Sequence, residues 1–140
     1  MVMLADLLAD DGLGLVQTHV PAPEREVRWV ATSELADPTP FLEGGEVLLT
    51  TGLETSGWRS EWRGYVERLV SAGVVALGFG TGLTHRRVPR SLVRAAEASG
   101  LNLVEVPRRT TFVAISRTTA GLIDSGADAA ARRSLEAQRQ

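Results

Sequence analysis

Three compact apolar runs constrain what this chain can fold into: Glu46 to Thr50 (EVLLT), Val74 to Phe79 (VVALGF) and Leu101 to Val106 (LNLVEV). Each is bounded by glycine or proline and is too short for a core helix. The first two read as buried strands and the third as a strand closed by Pro107. The segments between them carry helical periodicity. Trp58, Trp62, Tyr65, Val66, Leu69 and Val70 fall at offsets 0, 4, 7, 8, 11 and 12, which is one face of a helix, and Gly73 is placed to cap its C-terminus. Pro89 can open a second helix, with Leu92, Val93 and Ala96 inward and Gly100 ending it. Strand–helix–strand–helix–strand predicts parallel pairing through right-handed crossovers. The expected class is α/β: a central, mostly parallel sheet with flanking helices, in three layers.

The flanks add less regular pieces. Leu4, Leu7 and Leu8 share a face of a short helix that Asp10, Asp11 and Gly12 end. Leu13 to Val16 reads as a short strand, His19 to Glu26 as a loop holding Pro21 and Pro23, and Val27 to Ala31 as another strand. Asp37 to Pro40 forms a turn, and Pro40 to Glu43 one helical turn closed by Gly44 and Gly45. Thr110 or Thr111 can cap a last helix with Phe112, Ile115, Thr119, Leu122 and Ile123 on its apolar face. From Asp124 onward the chain stays helix-prone but is rich in Ala and Arg, and Leu135 is its single large apolar side chain. The division expected is a domain over 1–123 and, over 124–140, the start of a linker or dimerisation helix.

Composition excludes several chemistries. The 140 residues suit one domain. With no cysteine, disulfides, thiol catalysis and zinc–thiolate sites are out. With no lysine, so are Schiff-base catalysis and the P-loop lysine. A formal net charge of -2 argues against nucleic-acid binding by these residues themselves. No apolar run reaches the roughly 18–20 residues of a membrane span. The opening MVMLADLLADD is acidic and short for a signal peptide, so the expected location is the cytoplasm.

Few residues suggest chemistry. Gly78-Phe79-Gly80-Thr81-Gly82 follows a strand, but its third glycine comes one position early for GxGxxG, and no acidic residue follows at the expected distance. His19 and His85 lie in predicted loops without metal-ligand neighbours and read as surface histidines. No serine has a GxSxG context, so neither catalytic residues nor a metal or cofactor is expected. Arg86, Arg87, Arg90 and Arg94 form the densest basic cluster: a solvated helix face, with Arg94 able to pair with Glu97, or a carboxylate-binding patch or interface. Trp58 and Trp62 match the core stripe of their helix.

Taken in order, the segments Val27 to Val30, Ser33-Glu34-Leu35, Asp37 to Leu42 and Gly44 to Gly52 (GGEVLLTTG) resemble the N-terminal domain of PucR-type bacterial transcription regulators, named for purine catabolism. Ala72 to Val74, Ala76 to Gly80, Leu103 to Pro107 and Phe112 with Ala114-Ile115-Ser116 continue the resemblance, which spans roughly Leu4 to Ile123. It implies a cytoplasmic regulator in which this domain modulates a C-terminal helix-turn-helix domain, here missing, in response to a small metabolite of nitrogen or purine catabolism. It implies no catalytic residues. The expected partners are a small-molecule effector and a second copy in a homodimer, with no direct DNA contact by this fragment and no membrane. Two rival readings are a dimerisation or spacer module without a ligand and a small enzyme acting on a ureide or nucleotide.

The input site is expected at the carboxyl ends of the three central strands, where open α/β sheets bind ligands. The residues named are Thr50, Thr51, Gly52, Gly78, Phe79, Gly80, Glu105 and Arg108. Their hydroxyls, glycine-flanked N–H groups, carboxylate and guanidinium would suit a small polar metabolite. The competing reading is that these threonines and glycines only shape turns.

Overall fold

Alternation along the central strands organises the architecture. In the computed structural model, which describes the backbone of residues 1–139 and side chains through 126 and at 132–135, the elements run α1 (Leu4–Leu8), β1 (Val16–His19), β2 (Trp29–Thr32), β3 (Glu46–Thr50), α2 (Glu61–Ser71), β4 (Ala76–Gly80), α3 (Arg90–Ser99), β5 (Asn102–Val106) and α4 (Phe112–Arg139). The sheet order is β1-β5-β4-β3-β2. Strands β2 to β5 pair in parallel, and β1 joins β5 antiparallel. Successive side chains go to opposite faces. Leu48, Leu77, Phe79 and Leu103 pack under α2 and α3 with Trp62, Tyr65 and Leu69. Val47, Leu49, Ala76 and Val106 pack on the other face with Leu4, Leu7 and Ile115 of α1 and α4. The expected α/β class is therefore found, with helices on both faces. Each fully buried large side chain contributes about 1.5–3 kcal/mol.

Buried polar groups fix the connections. Asn102, 1% exposed, takes the Ala22 N–H and donates to the Ala22 and Val75 carbonyls, all at 2.9 Å, tying the proline loop to the sheet. Glu46, also 1% exposed, accepts from the Glu43 and Gly44 N–H groups at 2.6 and 2.9 Å and holds the Gly44-Gly45 turn that enters β3. Such pairing offsets the cost of burying a carboxylate.

The element boundaries differ from the sequence expectation where tertiary partners intervene. The first strand begins at Val16, not Leu13, because Leu13 is buried in a turn held by Asp10 and its carbonyl accepts from the Thr110 hydroxyl. His19 ends β1 instead of opening a loop. The second strand starts at Trp29, since the Val27 N–H is taken by the Val2 carbonyl at 2.8 Å. Helix α2 starts at Glu61, while Trp58 stays in the preceding turn and still packs edge-on to Trp62 at 5.0 Å. In α4, Thr111 caps through the Ala114 N–H at 3.0 Å, and Leu122, expected inward, is 37% exposed. Segment 124–139 is helical, Leu135 is 55% exposed, and Gln140 lies outside the described residues. The expectation that small side chains of this segment meet a partner falls mostly on side chains that are also outside them.

Candidate functional site

Parallel pairing brings the carboxyl ends of β3, β4 and β5 side by side, and a cavity of about 290 Å3 opens there. Thr51, Gly80, Thr81 and Val106 come from the strand ends, Leu83 and Arg108 from the following loops, and Thr111 and Phe112 from the start of α4. The Phe112 ring lies over Gly80, so closely that a Cβ on Gly80 would come within 3.0 Å of its Cζ.

The structure distributes the eight expected residues unevenly. Thr51, Gly80 and Arg108 line the cavity. Thr50, Gly52 and Glu105 do not line it: Thr50 shares the Glu34 carboxylate with Thr51, Glu105 accepts from the Thr81 hydroxyl, and Gly52 lies against Phe79 and His85. Gly78 and Phe79 do not reach it. Phe79 is fully buried on the α2–α3 face, 6.0 Å from Trp62 and 5.3 Å from His85, ring to ring. Gly78 lies two residues inside the strand end, and a Cβ there would come within 2.5 Å of the Leu49 side chain, so its role is close packing.

Most polar groups expected to greet a ligand are already bonded to the protein. The Glu34 carboxylate accepts from both the Thr50 and Thr51 hydroxyls at 2.8 Å, from the Thr51 N–H at 2.9 Å and from the Leu53 N–H at 3.3 Å. The Thr81 hydroxyl donates to Glu105 at 2.6 Å. The glycine-flanked N–H groups are occupied too: Thr81 N–H by the Val106 carbonyl, Gly82 N–H by the His85 carbonyl. Gly52 has φ +74°, a left-handed value that favours glycine, and its carbonyl accepts from His85 Nε2 at 3.0 Å. What remains is a largely apolar wall with the exposed Arg108 guanidinium, which has no ion partner among the described residues; the Thr111 hydroxyl oxygen is taken by the Ala114 N–H. Burial first, and after it the Glu34 carboxylate, pushes the Tyr65 phenol above its ordinary pKa.

Neither histidine is free surface. His85 is half-buried between Phe79 and Gly52, and His19 Nε2 is buried with no hydrogen-bond partner among the described residues. Sequence reading gave no role to Glu34, whose 16-residue separation from Thr50 hides the clamp, nor to Leu83 and Phe112 as cavity walls. Among the described residues no group of three or more metal-ligating side chains is present, and no helix is long and apolar enough to cross a membrane.

Comparisons with known proteins bear on the chain as a whole. Residues 6–123 match the PucR family, described as purine catabolism regulatory protein-like. A transcriptional activator of Paenarthrobacter nicotinovorans, PmfR, is 28% identical over 121 residues, which cover 86% of this chain and 26% of that protein. The chain thus spans about a quarter of the length of this relative. No solved structure matches it.

Proposed function

The chain belongs to the PucR family, and from that premise we propose that it is the regulatory input domain of a cytoplasmic transcription regulator. In this reading it binds a small effector in the strand-end cavity and controls, through α4, a DNA-binding region elsewhere in the full protein. The similarity to a transcriptional activator supports the regulatory role. One observation carries the coupling: the wall of the cavity is built jointly by the strand ends and by Thr111 and Phe112, the cap and first residue of α4. An occupant touches the root of the helix that leads out of the domain. A ligand that fits one placement of Phe112 better than another shifts the population of α4 orientations.

The wall also narrows the effector. Its volume lies at the lower edge of the roughly 300–1,000 Å3 of small-molecule sites. With the threonine hydroxyls held by Glu34 and Glu105, Arg108 is the main unpartnered polar group. The site suits a compact molecule with an apolar body and one carboxylate, which a guanidinium can grip with two parallel hydrogen bonds. That departs from the fully polar metabolite expected from sequence, because residue types did not reveal which groups were already satisfied. In this reading the domain also pairs with a second copy along α4, where Val113 and Leu135 are exposed near one face, and Trp29, 41% exposed, stands on the edge strand β2.

The test is a thermal-shift screen of small aliphatic and aromatic monocarboxylates on the chain and on Arg108→Ala. A binder raises the melting temperature of the parent by mass action and has at least about tenfold weaker effect on the variant. If no carboxylate shifts the parent, or the variant responds equally, the cavity is not the effector site.

A further inference from the structure

Helices α2 and α3 each run from the carboxyl end of one parallel strand to the amino end of the next, and both pack on the same sheet face. Their N-terminal ends therefore lie together, beside the strand-end cavity but separate from it. A groove of about 840 Å3 opens between them. Arg59 and Arg63 reach it from α2 and its leading turn, and Arg90 and Arg94 from α3. Arg90 and Arg94, four residues apart in α3, share a helix face, while Arg59 stands in the turn just before α2 and Arg63 in its first turn. The two pairs are far apart in the chain and meet only through the fold. No carboxylate is among the described residues lining the groove. Arg63 has a partner outside it, Glu67 at 3.2 Å, while Arg59, Arg90 and Arg94 have no ion pair among the described residues. The expected Arg94–Glu97 pair is not formed. Arg86 and Arg87, from the same basic run, do not line the groove.

This concentration of like charge is unfavourable unless something anionic relieves it. In a chain with net charge -2, it is a local feature and not a reflection of overall basicity. Ser60 and Ser91 add hydroxyls at the first turns, and the N–H groups that open both helices orient positive partial charge the same way. Trp58, half-buried, and His85 form part of the lining, giving a concave and partly aromatic surface instead of a flat charged face. Three unpaired guanidiniums call for a ligand with several negative charges; a single carboxylate would leave most of them unneutralised.

We propose that the groove between the N-terminal ends of α2 and α3 is a binding site for a small polyphosphate-bearing molecule, with Arg59, Arg90 and Arg94 as its phosphate contacts. It is a second site, distinct from the strand-end cavity. The Thr81 to Val88 loop separates the two, with Leu83 facing the cavity and His85 the groove.

Calorimetry of the chain with inorganic tripolyphosphate at near-physiological salt tests this. The expected result is saturable binding with a change in tryptophan fluorescence, weakened about tenfold or more in Arg90→Ala/Arg94→Ala and in Arg59→Ala. Arg117→Ala, which lies outside both the groove and the strand-end cavity, should retain the parent affinity within about twofold. All the substituted arginines are exposed, and unchanged melting temperatures would show that the variants fold. Three results overturn the proposal: no saturable binding, equal weakening by Arg117→Ala, or tight binding of a glutamate-rich peptide with none of tripolyphosphate. The last would assign the groove to an acidic protein partner.

Discussion

The strand-end turn at Thr50 to Gly52 and the groove between α2 and α3 sit at the same end of the sheet, yet they dispose of their polar groups in opposite ways. In the turn, two hydroxyls and two N–H groups converge on Glu34, and nothing is left over. In the groove four arginines line one concavity with no carboxylate among the described lining, and three of them have no ion pair among the described residues. The turn looked like a ligand site in the sequence and the arginine run looked like a solvated helix face. What separates them is the presence of a partner, and partners come from elsewhere in the chain. Residue type indicates what a group can bind; only the fold indicates whether it is already bound.

The largest effect that probes this contrast is expected at Phe79. It was grouped with the site, but it is fully buried among aromatic rings. Phe79→Ala should destabilise the fold by about 3–5 kcal/mol in chemical denaturation. A loss below about 1 kcal/mol would return Phe79 to the list of ligand contacts.

Glu34→Ala comes next. It strands the Thr50 hydroxyl, on a residue 3% exposed, and leaves three further donors to seek water or one another. The expected cost is about 2–3 kcal/mol. The same variant frees the Thr51 hydroxyl at the cavity wall, so the strand-end site should accept more polar ligands than in the parent. Parent-like stability and an unchanged ligand profile in a thermal-shift screen would mean that the Glu34 clamp does not govern the turn.

The smallest effect concerns Asp37, a carboxylate that does meet an arginine. Its pKa is lowered from 3.8, chiefly by the Thr39 hydroxyl, then by the Thr39 N–H and by Arg68, whose Nε lies 3.4 Å away. A depressed carboxylate stabilises the fold above its unfolded pKa, and that contribution is lost as pH falls through the folded value. Asp37→Asn should therefore match the parent most closely at the acid end of a titration of melting temperature and fall slightly below it once the pH is above 3.8. Curves that stay parallel at every pH would show that the contact is lost in solvent.

The central fold was legible because its signals are local. EVLLT and VVALGF are apolar on both faces, and the α2 stripe, with glycine just past its end, announces itself by spacing. Pro89 and Gly100 bracket α3 as expected. The edges were less legible, because β1 and β2 owe their boundaries to remote contacts: Val27 to Val2, and Leu13 to Thr110. The strand-end location followed from topology, and three of eight residues line the cavity found there. The other five were named by type, and type does not distinguish Gly78, which makes room for Leu49, from Gly80, which faces the cavity. Within GGEVLLTTG, the residues that stand out in sequence are largely scaffold: Glu46 holds the double-glycine turn, and the paired threonines hold Glu34.

The length of α4 gives the strand-end cavity a reach beyond its size. A helix of 28 residues is about 42 Å long at 1.5 Å per residue. Only its first turn forms the cavity wall, and Ile115, Thr119 and Ile123 hold the following turns on the sheet, so in the proposed input role the helix would move with its packing on β2. A tilt of roughly 5° near Phe112 would carry the far end about 4 Å sideways. In that role the displacement would grow along the helix, so a sub-ångström change at Phe112 would be enlarged toward its far end.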